Sequence, residues 1–273
     1  MLSDAEFEIV AREVKQRSGL VMTRELANSA TLRLTPLARR ENFGTVSELI
    51  SAARIRPDGM LWNAIADMLV QSETRFFRDR ALFERIRADI LPAVIARRGG
   101  EPVRIWSAAC STGQEAYSLA MIVEELREQG ANPAIDICAS DFSERLIEKA
   151  RTGLYTQFEV QRGLPIRKLV AHFEKAGDLW CIADRLRAAV RFERHNLLKH
   201  PGQLGQFDIV LCCHVLHSFD AAARADVTAR IAETLAPGGV LLLGAGETYP
   251  EGAGGLTIEN GIAVRPGAAR RAA

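Results

Sequence analysis

Three short runs carry the side chains best placed to do chemistry. Ser107-Ala-Ala-Cys-Ser-Thr-Gly113 is a chain of small residues ending on glycine and opening a helical pattern, so a ligand can come close to backbone amides and a helix N-terminus. It has one glycine where a dinucleotide fingerprint has three, and it lacks the Gly-Lys-Ser/Thr of a phosphate loop, so a nicotinamide or nucleoside-triphosphate reading has no support. Ser140-Asp141-Phe142 puts a carboxylate at the end of an apolar run, where it could accept both hydroxyls of a ribose. The same residue could instead cap the next helix. Cys213-His-Val-Leu-His-Ser218 follows a third apolar run. Small residues at one strand end and an acid at the next suit a nucleoside that carries no phosphate.

Cys212, Cys213, His214 and His217 are zinc-type ligands, but they crowd at one strand end with no second cluster and cannot surround a metal, so no metal is expected. Cys212 reads as strand core, His214 as facing the ligand and His217 as the surface start of a helix. For His172, His195 and His200, solvated or capped positions are the expectation.

The elements that must position these runs follow from periodicity. Apolar runs at 103–107, 134–139, 207–212 and 240–244 alternate with helical stretches at 80–96, 115–129, 143–152 and 221–235, which predicts a parallel sheet covered on both faces. In such a sheet, ligands bind outside the carboxyl ends of the strands where the winding reverses. Before about Arg75 every periodic segment is helical, at 4–17, 25–40, 46–54 and 60–70, with Ser3 and Thr45 as N-caps and Glu48 supporting the second. Segments 178–183 and 189–193 read as strands with no helix between them, a small antiparallel excursion within 174–194. The tail from Pro266 holds only Gly, Ala and Arg after its proline, has nothing to bury and is expected to be loose.

Composition bounds the reading. A chain of 273 residues, 48% hydrophobic and 25% charged, with 35 Lys+Arg against 34 Asp+Glu, is neither disordered nor a basic nucleic-acid binder. The longest apolar stretch, around Val240-Leu-Leu-Leu243, falls far short of the roughly 20 residues of a membrane span, and the first residues are acidic, unlike a signal peptide. Five cysteines without paired spacing suit a reducing, cytoplasmic compartment.

Five motifs, in order, resemble the CheR chemotaxis receptor methyltransferases: Ser72-Glu-Thr-Arg-Phe-Phe-Arg78, the run from Arg104 through Gly113 to Ser118, Ala139-Ser-Asp141, Val190-Arg-Phe-Glu-Arg-His-Asn-Leu197, and Phe207-Asp208 with Pro237-Gly-Gly239. The resemblance implies a class I, Rossmann-like S-adenosylmethionine-dependent methyltransferase domain over 76–265, an all-helical N-terminal domain over 1–75, a small antiparallel β subdomain at the excursion, and a flexible tail over 266–273. It implies methyl transfer from S-adenosyl-L-methionine to glutamate side chains on the helical bundle of a chemoreceptor, leaving S-adenosyl-L-homocysteine. By position, cofactor contacts would fall on Ser72, Thr74, Arg78, Ala109, Glu115, Asp141, Asn196, Leu197, His214 and Val215. Glu115 and Asp141 would divide the ribose and the methionine amino group between them, and Asn196 would meet the adenine edge with Leu197 and Val215 near the ring. Arg78, close to the transferring methyl, would position the acceptor.

The chain departs from the family pattern where Ser72 replaces an asparagine, His214 another asparagine, and Ser218 a tyrosine. These changes keep two rival readings open: methylation of another acceptor, or a non-catalytic cofactor-binding signalling module. Arg24, Arg33, Arg39 and Arg40 against Glu25 give the second helix a positive excess that would attract an acidic receptor bundle, or simply face solvent. The short turn at 174–178 predicts no grip on a receptor's peptide tether. A monomer is expected, with no nucleic-acid partner and no membrane insertion.

Overall fold

Ser3 opens the first helix with a complete capping box: its hydroxyl accepts from the Glu6 N–H at 3.4 Å while the Glu6 carboxylate accepts from the Ser3 N–H at 2.8 Å. The computed structural model describes residues 2–56, 58–70, 73–250 and 252–267. The chain divides into two compact units, Met1–Gln71 with His217–Arg224, and Ser72–Leu216 with Ala225–Ala273.

The first unit is built on α1 (Asp4–Ser18), α2 (Arg24–Arg40), α3 (Val46–Ile55) and α4 (Met60–Leu69). Val10, Val14, Leu34, Leu49 and Ile65, recurring at helical spacing, are fully or almost fully buried in its core. Thr45 caps α3 as its spacing predicts, but the Glu48 carboxylate reaches back to the Gly44 N–H and not to Thr45. Pro36 sits inside α2, where it cannot donate to the carbonyl of Leu32. Leu32 is on the exposed side, where water can satisfy that carbonyl.

The second unit centres on a seven-stranded sheet. Its strands are β1 (Val103–Ala108), β2 (Ile135–Asp141), β6 (Val190–Arg194), β7 (Phe207–Leu211), β8 (Leu235–Leu242), β9 (Thr257–Glu259) and β10 (Ile262–Val264), in the order β6-β2-β1-β7-β8-β10-β9. The pairs from β6 to β8 are parallel, whereas β10 runs antiparallel to β8 and β9 to β10. Winding goes outward from β1 to β6 on one side and from β7 to β8 on the other, so the reversal lies between β1 and β7. Trp106 anchors that centre: it is fully buried, stacks on Phe207 with centroids 5.4 Å apart, and donates its indole N–H to Ser140 Oγ at 2.9 Å.

The helices of this unit are α5 (Arg80–Arg85), α6 (Leu91–Arg98), α7 (Gln114–Glu128), α8 (Glu144–Thr152), α9 (Gln157–Gln161), α10 (Ile166–His172), α11 (Asp184–Ala188) and, from Ala225 onward, α12 (Ala221–Thr234). Between α5 and α6 a π-helical turn, Ile86–Ile90, widens the backbone just before Pro92, whose ring would otherwise meet the carbonyl four residues back. A second sheet, ordered β3-β5-β4, joins β3 (Leu154–Thr156), β4 (Phe173–Ala176) and β5 (Leu179–Ile182) in antiparallel pairs.

The excursion expected over 174–194 needs correction. Helix α11 separates its two strands, and only the first belongs to the small sheet. The second, β6, pairs parallel with β2, because Val190 and Phe192 alternate onto the buried face and extend the main core. The closing hairpin β9–β10 was not anticipated, although Asn260-Gly261, with φ of +50° and +74°, is a strong two-residue hairpin signal. Most of the expected loose tail, residues 268–273, lies outside the described residues.

Candidate functional site at the carboxyl ends of the central strands

The bend after β1 is under local strain and is held from several sides. Ala109 and Ser111 have φ of +58° and +53°, a region costing non-glycine residues about 1–2 kcal/mol each. Cys110 donates its N–H to the Ser140 carbonyl at 2.9 Å, the Ser111 N–H goes to Asp141 Oδ2 at 2.9 Å, and the Tyr155 hydroxyl reaches the Thr112 carbonyl at 2.8 Å. Gly113, at φ +89°, ends the bend where a Cβ would come within 3.0 Å of the Ala150 side chain and 3.1 Å of Phe192.

Asp141 ends β2 and is nearly fully buried. Its Oδ1 accepts from the Ser143 N–H at 2.9 Å, but the cap of α8 is Ser143, whose hydroxyl takes the Leu146 N–H at 3.2 Å. Of the two readings the sequence left open, the helix cap is therefore excluded. The carboxylate instead clamps the Ser111 bend. The Asp141 carbonyl also accepts from the His195 N–H, which brings the end of β6, with half-buried Asn196 and buried Leu197, alongside the same bend. Asn196 Oδ1 accepts the Leu198 N–H at 3.0 Å.

Glu115 stands in the first turn of α7. The Ser107 hydroxyl donates to its Oε1 at 2.8 Å, and the Cys213 thiol points at it. Burial raises its carboxyl above the ordinary carboxylate range, with the Ser107 and Cys213 hydrogen bonds and nearby His214 acting in the opposite direction. Burial likewise pushes the thiols of Cys110, Cys212 and Cys213 well up, so they are neutral packing groups rather than nucleophiles.

His214, at φ +59°, is held at both ends. Its N–H meets Glu247 Oε2 at 2.6 Å, and Nε2 lies 2.8 Å from Asp79 Oδ2, an acceptor that makes Nε2 the protonated ring nitrogen. The same two carboxylates take the Gly244 and Ala245 N–H groups. The imidazole lies so close over the backbone that a Cβ on Gly244 would sit 2.4 Å from Nε2. Val215 follows, half-buried.

Asp79 directly follows Arg78, so the Asp79–His214 pair ties the Arg78 segment to the ends of β7 and β8. Phe77, at φ +48°, donates its N–H to Ser118 Oγ at 3.0 Å, and Arg78 itself donates to the Glu73 carbonyl at 2.9 Å. Thr74 lies in the same half-buried stretch, while Ser72 is outside the described residues.

The structure thus gathers two groups of expected residues. Ala109, Asp141, Asn196 and Leu197 surround the first bend, and Glu115 and His214 lie together at the ends of β1 and β7. No direct bond joins Thr74, Arg78 or Val215 to either group among the described contacts. Asp79 and Glu247 were missed: neither stands in the motifs at the ends of β1, β2 and β7, and they meet His214 only because α5 and β8 bring them to the end of β7. The histidine expectations also change. His172 is buried beside Arg185, and His195 packs edge-on to Trp106 with Nε2 buried and without a hydrogen bond, and burial lowers the pKa of both. His200 keeps the expected solvent-exposed position and hydrogen-bonds to Glu233. Among the described residues no group of three or more His, Cys, Asp and Glu could hold a metal ion.

Asp79, Glu115, Asp141 and Glu247 thus lie by the carboxyl ends of the central strands, the side on which such sheets form their ligand crevice, and their charges suit a ligand bearing positive charge. Residues 72–260 match the family profile described as CheR methyltransferase, SAM binding domain. The chain is 34% identical to "Chemotaxis protein methyltransferase 1" of Pseudomonas aeruginosa over 249 residues, which cover 90% of each protein. It is 32% identical to "Chemotaxis protein methyltransferase Cher2" of Pseudomonas putida over 246 residues, covering 89% of this chain and 90% of that one. A "Chemotaxis protein methyltransferase" of Listeria monocytogenes is 30% identical over 264 residues, or 95% of this chain and 98% of its own length.

Proposed function

The chain belongs to the CheR methyltransferase family, and from that premise we propose how its residues methylate glutamate carboxylates of a chemoreceptor, with S-adenosylmethionine as cofactor. When bound, the cofactor supplies an electrophilic methyl carbon on a sulfonium, and the residues present fit it. Glu115 is a desolvated carboxylate that takes no backbone N–H among its described contacts, so its charge is the least compensated in the crevice and suits the ammonium. Asp141 accepts from the Ser111 and Ser143 backbone amides and so holds the bend, and its carboxylate would meet the ribose hydroxyls. Asn196, whose carbonyl oxygen accepts the Leu198 N–H, would meet the adenine edge, with Leu197 and Val215 near the ring. Thr74 and Ala109 line the approach.

The acceptor, an exposed glutamate with an ordinary pKa of about 4.3, is already ionised at neutral pH, so no general base is needed. Transfer would form an O–C bond on the acceptor as the S–C bond of the sulfonium breaks, turning a cation and an anion into two neutral centres. What the protein must do is hold three atoms in line and exclude water, an effect worth on the order of 7–11 kcal/mol. Arg78 orients the acceptor carboxylate through its planar fork. Asp79 and His214 position Arg78 by fixing its segment. Five free cysteines, and the lack of any described helix long and apolar enough to cross a membrane, support a cytoplasmic location.

The observation that carries this reading is the desolvated Glu115 beside the clamped Asp141 bend. Incubating the protein with methyl-labelled S-adenosylmethionine and receptor membranes tests it. Base-labile label on the receptor is the expected result. Label on another acceptor, or binding of S-adenosylhomocysteine without any transfer, would favour the rival readings.

A further inference from the structure

Arg78 also lines a recess of its own. This cleft, about 700 Å³, runs between the start of α5, the middle of α7 and the segment 161–168, a size that holds several side chains. Phe77, Phe83, Ile122 and Leu164 give it an apolar floor, and Arg75, Arg78, Arg80, Arg87 and Lys168 stand around it. Two of these cations are neutralised, Arg80 by Glu84 at 2.9 Å and Lys168 by Glu125. Arg75, Arg78 and Arg87 have no carboxylate within ion-pair distance among the described residues. The cleft therefore carries three uncompensated guanidinium groups, one of them the group assigned to the acceptor.

The walls are firmly built. Gly163, at φ +91°, lies so close to the Phe76 carbonyl that a Cβ would come within 2.1 Å of its oxygen, and Arg162 bridges to Glu73 at 3.0 Å. Lys168 lies over the Phe77 ring at 5.0 Å, and Phe77 meets Phe83 edge-on at 5.3 Å. Along α5 and the π-turn, Arg80, Phe83, Glu84 and Arg87 recur at helical spacing, so the recess extends about 10 Å from Arg80 to Arg87.

We infer that this cleft binds acidic side chains of the acceptor helix that neighbour the glutamate being methylated, with Arg87 and Arg75 selecting acceptor segments rich in carboxylate. The inference rests on the proposed reaction, because an acceptor that presents glutamates is itself anionic. Its apolar floor would take the methylene stems, while the guanidinium rim takes the charges. Among the described contacts Arg87 bonds to neither the Arg78 segment nor Glu115 or Asp141, so it separates acceptor recognition from chemistry.

Steady-state methylation of receptor membranes by the full chain, with Arg87→Glu, Arg87→Lys and Arg75→Ala, tests the assignment. Arg87→Glu should raise the KM for receptor about tenfold, with kcat and the Kd for S-adenosylhomocysteine unchanged, because it removes an attraction and adds a repulsion. Arg87→Lys should stay near wild type, since it keeps the charge. Arg75→Ala should move KM in the same direction as Arg87→Glu by a smaller factor, and added salt should shrink the difference between wild type and Arg87→Glu. An unchanged receptor KM in Arg87→Glu, with wild type active and both proteins melting alike, would overturn the cleft assignment alone. Equal loss of S-adenosylhomocysteine affinity would show the cleft to be part of the cofactor site and would also overturn it. No transfer by wild type to any receptor would remove the reading of the reaction and the cleft assignment with it.

Discussion

Glu115 is the residue at which charge, burial and ligand meet. Its folded carboxyl has a raised pKa, so it binds its proton more tightly folded than unfolded. Such a group stabilises the fold below its unfolded pKa and loses that contribution as pH rises through the folded one. At neutral pH the buried charge is thus a cost, offset when a cationic ligand arrives. Glu115→Gln should raise the melting temperature of the ligand-free protein and remove the thermal shift caused by S-adenosylhomocysteine; an undiminished shift would take the ammonium away from Glu115. In wild type, S-adenosylhomocysteine affinity should begin to fall on acidification above the ordinary carboxylate range near 4.3, as titration calorimetry across pH would show. Arg78 acts by orientation, so Arg78→Ala should lower kcat on the order of a hundredfold, with Arg78→Lys in between. Single-turnover methylation would detect this, and a change confined to KM would reassign Arg78 to binding.

Among the elements, the joint between α5, β7 and β8 stands out. It is built from two carboxylates, one imidazole and a glycine. Gly244→Ala puts a methyl 2.4 Å from a rigid ring and should push His214 off Asp79. Overpacking of this kind costs about 1–3 kcal/mol, which a denaturant melt would read. Asp79→Ala reaches the same end by deleting the partner, so both variants should lower kcat more than cofactor affinity. If either weakened cofactor binding as much as turnover, the joint would belong to the cofactor site rather than to the Arg78 segment. At the β1 bend, Gly113→Ala combines a positive φ with contacts near 3.0 Å and should lose at least the 1–2 kcal/mol of the backbone term.

At the scale of the molecule, near-neutral net charge hides a strongly divided surface. The crevice is acidic, the neighbouring cleft is basic, and exposed Arg39 and Arg40 end α2, although Arg40 is partly answered by Glu41 at 3.1 Å. Opposite fields serve opposite ligands, a cationic cofactor and an anionic acceptor. Reversing Arg39 and Arg40 together should slow receptor methylation at low salt and leave S-adenosylhomocysteine affinity alone. Parallel loss of both in a binding and turnover comparison would mean the helix acts through stability instead of attraction.

Periodicity and small motifs determined the parallel sheet, the helical first segment and the residues at the ends of β1, β2 and β7, because each depends on contacts close in sequence: a face of a helix, a period-two strand, a bend that needs glycine. The same local signals misplaced β6, since a short buried strand looks alike in either sheet and only its pairing with β2 tells them apart. They also could not find Asp79, Glu247 or the basic cleft. Asp79 meets a residue 135 positions away, and Glu247 meets one 33 positions away. The cleft draws on three chain segments that no spacing links. Those features exist only once the sheet has brought its strand ends together, so they were decided by tertiary packing.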